Sequence, residues 1–242
     1  MGHLDVVTAF LNPEIDDDDI YMTLPEGSPE GLNAPKIIVR LRKALYGLKQ
    51  ARWLWHDDIN TFLLCLGFSQ SRADPNLYHR SDGILILLYV DDNLMSYPKA
   101  ASEAAIEVKA KLSEKYTITN LGPARQFLSI EIHRSGTKVS LGQKAYITTI
   151  LRSFGMEHTH GVSTPMDPNI ELDLAEDQRE KELEDITDYH EVVGSLMSAA
   201  LATRPAILYT VAALSRYTSR PFTSLMTAAK RVLQYLKSTA DF

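Results

Sequence analysis

The chain has 242 residues, 45% hydrophobic and 23% charged, enough apolar material for one large domain or two modest ones, so a disordered or fibrous protein is excluded. Its net charge of −6 says little about partners: eight acids and two bases between Asp173 and Asp188 account for all of it, and without the second acidic cluster, Glu14 with Asp16 to Asp19, the remainder sums to +5. The single cysteine, Cys65, excludes an internal disulfide and a cysteine-based zinc cluster. Its place in an apolar helical pattern assigns it to core packing and fits a reducing interior. No apolar run approaches the ~18 residues of a membrane span and the N-terminus lacks a signal-peptide pattern, so the chain reads as intracellular with no membrane partner.

Leu4 to Leu11 is a short apolar, strand-like stretch with Asp5 embedded in it. Ile20 to Leu24 forms a second extended piece, and Lys36 to Arg42 alternates as a strand with one mostly basic face. Trp55, Ile59, Phe62, Leu63 and Leu66 lie on one helical stripe that ends at Gly67, a natural C-terminal cap. A second helix is expected over roughly Ala100 to Lys115, then strand-like sequence over Phe127 to His133 and a turn into Lys138 to Leu141. A third helix runs from about Ile147 to Phe154. Beyond an acidic linker, 162–188, lie three further helical patterns, Tyr189 to Ala202, Pro205 to Tyr217 and Thr223 to Lys237, with Pro205 and Pro221 at expected helix starts. The chain thus divides into a mixed α/β part, 1–139, and an all-helical part, 140–242.

The stretch that organises this order is Ile84 to Met95, Ile-Leu-Ile-Leu-Leu-Tyr-Val-Asp-Asp-Asn-Leu-Met. Seven consecutive apolar residues read as a buried strand, although periodicity alone also allows a buried helical turn. A hairpin with Asp91 and Asp92 in its turn is the simplest local structure. An Asp pair between strands is most often a solvated turn. A third carboxylate alongside would change that reading, because carboxylates held together repel unless a divalent cation neutralises them. Asp5, in a second strand-like segment, is the candidate partner.

Ordered blocks then point to a family. They are Leu-Asp-Val-Val-Thr-Ala-Phe-Leu-Asn (4–12), Ile-Tyr-Met-Thr-Leu-Pro-Glu-Gly (20–27), Leu-Arg-Lys-Ala-Leu-Tyr-Gly-Leu-Lys-Gln-Ala (41–51), Asp-Pro-Asn-Leu-Tyr (74–78) and Tyr-Val-Asp-Asp (89–92). Phe-Leu-Ser-Ile-Glu-Ile (127–132), Val-Ser-Thr-Pro-Met-Asp-Pro (162–168), Val-Gly-Ser-Leu (193–196), Ala-Thr-Arg-Pro (202–205) and Ala-Ala-Lys-Arg-Val-Leu-Gln-Tyr-Leu-Lys (228–237) follow. Together they resemble the reverse transcriptase of copia-type LTR retrotransposon Pol polyproteins. The resemblance implies an α+β right-hand polymerase: a palm with partial fingers over 1–139, followed by an all-helical thumb or connection region over 140–242. It implies RNA-directed DNA polymerisation, with an RNA template, a DNA primer and deoxynucleoside triphosphates as partners, in cytoplasmic particles or the nucleus.

By the same resemblance Asp5, Asp91 and Asp92 are catalytic and hold two Mg2+ ions, with Mn2+ as a substitute; Asp5 and Asp91 are the principal ligands and Asp92 assists. Ala9, Phe10, Tyr46 and Gly47 bind the incoming nucleotide. Phe127, Leu128 and Ser129 belong to the hairpin that grips the primer, with Ser129 in place of the family's usual glycine, and Gly194 to a helix that packs on the duplex. Lys36, Arg40, Arg42, Lys43, Lys49 and Arg52 form a basic cluster for template phosphates. Departures from the family pattern are Pro13 for a glycine, Gln50-Ala51-Arg52-Trp53 for Gln-Ala-Pro-Arg, and Asn93 for an apolar residue. Family members carry a long segment before the first acid, which stands here at position 5, so the expectation is an N-terminally truncated fragment whose activity alone is in question. The competing readings are a noncatalytic nucleic-acid-binding remnant of the same polyprotein and an unrelated α/β protein whose Asp-Asp is only a turn.

Overall fold

The computed structural model describes residues 1–15, 20–25, 37–167, 182–183 and 185–241. Asp16 to Asp19, Lys36 and most of the acidic linker expected at 162–188 lie outside the described residues. The described chain is mixed α+β and forms two compact units, Met1–Ala124 and Arg125–Phe242. The division falls earlier than the change of sequence pattern at 139, so the hairpins that follow Ala124 belong with the helical unit.

The first unit opens with β1 (Gly2–Val6), β2 (Tyr21–Thr23) and β3 (Ile38–Arg40), followed by helix α1 (Ala51–Cys65). Strands β4 (Ser69–Gln70), β5 (Leu77–His79), β6 (Leu85–Tyr89) and β7 (Asp92–Ser96) come next, then α2 (Ser102–Lys115) and β8 (Ile118–Pro123). Six of the strands make one sheet in the order β4-β5-β6-β7-β1-β8, with antiparallel neighbours, and β2 pairs with β3 separately. The alternation of side chains gives this sheet two unlike faces. Leu4, Val6, Ile86, Leu88 and Met95 pack with Trp55, Ile59 and Leu63 of α1 and Ala105, Val108 and Leu112 of α2 in a single core. The opposite face carries His3, Asp5, Leu87, Tyr89 and Asp92, each of them open to solvent to some degree.

The expected helices form with small shifts. α1 ends at Cys65, and Gly67 adopts φ 82 just beyond it, a left-handed conformation that costs glycine little. Arg52 stands in the first turn of α1, where the family's proline would also fit, and the helix forms without it. Cys65 corrects one expectation: it is exposed, because the buried stripe runs through Trp55, Ile59 and Leu63 and a residue two past Leu63 points to the other side. Strand β8 was not legible in the sequence. It lies at the sheet edge, carries Asn120, Gly122 and Pro123, and meets β1 with a register shift between His3 and Leu4, all features that weaken an apolar pattern.

In the second unit, β9 (Gln126–Phe127), β10 (Ile130–Ser135) and β11 (Lys138–Gly142) make a three-stranded meander. The expected strand over Phe127 to His133 is therefore interrupted by a two-residue turn at Leu128–Ser129. Helices α3 (Lys144–Ser153), α4 (Thr187–Ala202), α5 (Leu208–Ser215) and α6 (Thr223–Ser238) bury Ile147, Tyr189, Leu196, Val211, Leu214 and Leu233 in one core. A short 3-10 turn, Pro205–Ile207, precedes α5, whereas Pro221 lies outside α6, whose N-cap is Phe222.

Candidate active site

Strand register assembles the three aspartates. Asp5 on β1 pairs across the sheet with Asp92, the first residue of β7. The Val6 amide donates to the Asp91 carbonyl oxygen at 2.8 Å, which ties the hairpin turn to the end of β1. The turn differs from its expected form. Tyr89 pairs with Asp92, so the loop is Val90–Asp91 and Asp92 belongs to the strand. A register displaced by one residue would turn Ile86, Leu88 and Met95 out of the core, so packing selects this one.

Val90 has φ 55, and a positive φ at the first loop residue is the mark of a type II′ hairpin, where glycine is preferred. A β-branched side chain in that conformation costs about 1–2 kcal/mol. The Trp55 indole N–H donates to the Val90 carbonyl at 3.0 Å, which returns about 1 kcal/mol and fixes the turn from below. Asn93, 5% exposed on the core face, donates from Nδ2 to the Asp91 carbonyl at 3.2 Å, while its Oδ1 is buried without a hydrogen-bond partner.

The carboxylates of Asp91 and Asp92 each have another side chain as partner. Tyr46 donates its hydroxyl to the Asp91 carboxylate, at 2.9 Å from one oxygen and 3.2 Å from the other. Asp92 meets His3 Nε2 at 3.0 Å. Among the described residues no three His, Cys, Asp or Glu side chains group as a metal cluster. The donor chemistry nevertheless suits a hard divalent cation, since all three side chains offer carboxylate oxygens from one end of the sheet.

Tyr46 is the second residue of a turn closed by the Leu48 amide on the Leu45 carbonyl at 3.2 Å, and Gly47 in third place has φ 99, as a type II turn requires. The Tyr46 ring tilts against Phe10 with centroids 4.6 Å apart. Burial raises the Tyr46 pKa above its ordinary value, the hydrogen bond to Asp91 and the charges of Asp91 and Asp5 raise it further, and the Phe10 backbone amide opposes them. The hydroxyl therefore keeps its proton. Ala9 is fully buried at the start of a 3-10 turn, Ala9–Leu11, and the preceding Thr8 is left-handed with φ 52. Ala9, Phe10, Tyr46, Gly47 and the aspartates thus occupy one neighbourhood of the first unit.

Most of the described basic residues of that cluster line several hollows of the first unit. Arg40 and Arg42 line a hollow of about 350 Å³ with Glu14, Lys43 lines another of about 550 Å³ with Asp57 and Asp58, and Arg52 lines a narrow cavity of about 80 Å³ beside Trp55 and Val90. Lys49 is exposed. In the second unit Leu128 and Ser129, φ 49 and 66, form a type I′ hairpin turn from two non-glycine residues beside buried Phe127, and Gly194 is an exposed residue of α4 with open space where a Cβ would be.

Sequence reasoning passed over His3 and assigned Trp55 only to the core. His3 could have been found, because it lies two residues before Asp5 and a strand repeats every second residue. The indole contact of Trp55 to Val90 has no sequence signal.

Residues 1–168 match the family model described as reverse transcriptase (RNA-dependent DNA polymerase), and the chain belongs to that family. Among its relatives are the retrovirus-related Pol polyproteins from transposon TNT 1-94 of Nicotiana tabacum and transposon RE1 of Arabidopsis thaliana, each 35% identical across 98% of this chain. The chain spans 18% and 16% of their lengths. A putative transposon Ty5-1 protein of Saccharomyces cerevisiae is also 35% identical across 98% of this chain, which covers 76% of that relative. These are Pol polyproteins and proteins of copia-type transposons, in agreement with the ordered blocks. The family generally uses divalent metal ions, nucleic-acid template and primer, and nucleotide substrates. Among the described residues no helix is long and apolar enough to cross a membrane.

Proposed function

We propose that this chain is an RNA-directed DNA polymerase domain that extends a DNA primer on an RNA template. The observation that carries the proposal is the pairing of Asp5 with Asp92 across adjacent strands, with Asp91 in the turn bonded to Val6. Mg2+ ions held by Asp5 and Asp91, with Asp92 assisting, would ease ionisation of the primer 3′-hydroxyl and offset charge on the triphosphate during in-line displacement. The strand ends supply the positioning: Leu4, Val6 and Leu88 hold the backbone from the core side, so the carboxylates come together by side-chain rotation alone.

The remaining roles follow from local chemistry. The Phe10–Tyr46 ring pair offers an aromatic wall to the nucleotide, and Gly47 lets the backbone approach it closely. The turn at Leu128–Ser129 presents an ordered, strained tip to a primer end, and Gly194 leaves a helix face without a side chain where duplex backbone can approach. Arg40, Arg42, Lys43, Lys49 and Arg52 provide phosphate contacts with no base preference. The first unit then serves as palm with partial fingers, and the helices of the second as thumb or connection.

Primer extension with Mg2+ on an RNA template tests the proposal. Incorporation should occur and should fall by roughly a thousandfold in Asp91→Asn, the effect of losing several kcal/mol of charge stabilisation. A second reading, a noncatalytic nucleic-acid-binding remnant, draws on the hydrogen bonds that engage Asp91 with Tyr46 and Asp92 with His3. Hybrid binding without any incorporation would favour it.

A further inference from the structure

Building on the polymerase reading, we infer that Tyr46 is a latch on the cation site: its hydroxyl occupies the Asp91 carboxylate, and a divalent cation must displace it to bring the aspartates together. Three observations carry this. The hydroxyl reaches both Asp91 oxygens, at 2.9 and 3.2 Å, so the side of the carboxylate that would chelate a cation faces a hydrogen-bond donor. The other hairpin aspartate is likewise engaged, by His3 at 3.0 Å, and no three ligating side chains group among the described residues. Finally, Tyr46 can leave by giving up only its Phe10 contacts, the backbone amide on its hydroxyl and the ring, besides Asp91. It is 46% exposed at the tip of a turn, its neighbour Gly47 has open space around it, and the core beneath is formed by other residues.

The physical need for such a latch is plain. Asp5, Asp91 and Asp92 stand at one end of the sheet, and their carboxylates repel one another when no cation is present. A hydroxyl that donates to one of them, and an imidazole that meets another, lower that repulsion until a cation replaces them. Competition for Asp91 then scales the apparent cation affinity by the fraction of molecules in which Tyr46 has swung away. By reciprocity, anything that draws Tyr46 off Asp91 tightens the cation. A nucleotide stacking against the Phe10–Tyr46 pair would do so, which couples nucleotide entry to assembly of the cation site. Tyr46 acts here as a positioning residue for Asp91.

Mn2+ binding to the whole chain, followed by electron paramagnetic resonance, tests the latch without relying on turnover. Tyr46→Phe keeps the ring against Phe10 and removes the donor, so Mn2+ should bind about five- to tenfold tighter, a charge-assisted hydrogen bond discounted for exposure. Equal affinities that are lost in Asp91→Asn would overturn the latch and leave the polymerase reading intact. Mn2+ binding indifferent to both Asp5→Asn and Asp91→Asn would overturn the cation site and the latch with it. A fluorotyrosine placed at position 46 of the otherwise natural chain gives a second readout. Its fluorine NMR signal should move as Mg2+ is added, and a signal unmoved at saturating Mg2+ would overturn the proposal.

Discussion

Both units bury polar joints, such as Tyr78 to Asn60 in the first, but the candidate carboxylates of the first lie in the open. In the first, charged and aromatic side chains gather on an open sheet face and a turn, where Asp91 and Asp92 bond to the exchangeable partners Tyr46 and His3. In the second, polar groups are drawn inside as joints: Thr203 donates to buried Gln143 at 2.8 Å, Arg204 to the Ala240 carbonyl at 3.0 Å, and fully buried Tyr189 to the Leu214 carbonyl at 2.9 Å. Bonds buried in a core are costly to break because no water replaces them, whereas bonds on an open face can be traded for a ligand. Among the described residues, the four non-glycine residues with positive φ, Thr8, Val90, Leu128 and Ser129, sharpen the contrast. Each lies next to, or is, a candidate site residue, and none lies inside a helix. Backbone strain is concentrated where the chain turns to present a group.

The largest test of this contrast is truncation of the helical core. Leu233 is fully buried, and Leu233→Ala should cost about 2–5 kcal/mol, read as lost hydrogen-exchange protection in α3 to α6. Asp91→Asn should cost less than about 1 kcal/mol while it abolishes primer extension, since an open-face carboxylate contributes little to stability. Equal losses of protection in both variants would break the comparison.

Alkaline pH gives the next effect. Burial, then the charge and hydrogen bond of Asp58, raise the Tyr116 pKa well above its ordinary 10.0; burial, then the Tyr217 charge, push Tyr189 up to about 12. In both cases the folded chain holds the proton more tightly than the unfolded chain. Stability is therefore full below about pH 10 and is lost as pH rises from there toward the folded values. Urea midpoints should be level up to about pH 10 and fall above it. Tyr189→Phe should remove the fall assigned to the second unit, and an undiminished slope in that variant would refute the assignment.

The smallest expected effect is at the hairpin turn. Ser129→Gly places the residue that tolerates positive φ at the second position of a type I′ turn and should stabilise the second unit by about 0.5–1 kcal/mol. Thermal unfolding measures it. No gain would mean that the turn stores no strain at Ser129.

The periodic parts of the fold were legible. Trp55, Ile59 and Leu63, then Ala105, Val108 and Leu112, announce α1 and α2 because a helix returns every third or fourth residue to one face, and burial of that face pays for the order. Strands β4, β5 and β8 were not: β4 and β5 span two and three residues, too few for a period, and β8, at the sheet edge, carries Asn120, Gly122 and Pro123 in place of an apolar alternation. Asp5, Asp91 and Asp92 were found through an apolar run interrupted by acids and through ordered motif blocks. Their pairing was not, because register depends on which faces must be buried.

The sequence by itself therefore determined the family, the helices, and which carboxylates stand at a strand end. Only the tertiary structure decided that the turn is Val90–Asp91, that Trp55 holds it, and that Tyr46 and His3 occupy Asp91 and Asp92. The physical reason is range. Burial patterns are written in neighbouring residues, whereas a hydrogen bond between positions 46 and 91 exists only after the core has fixed both backbones, and competition for a carboxylate is settled in space.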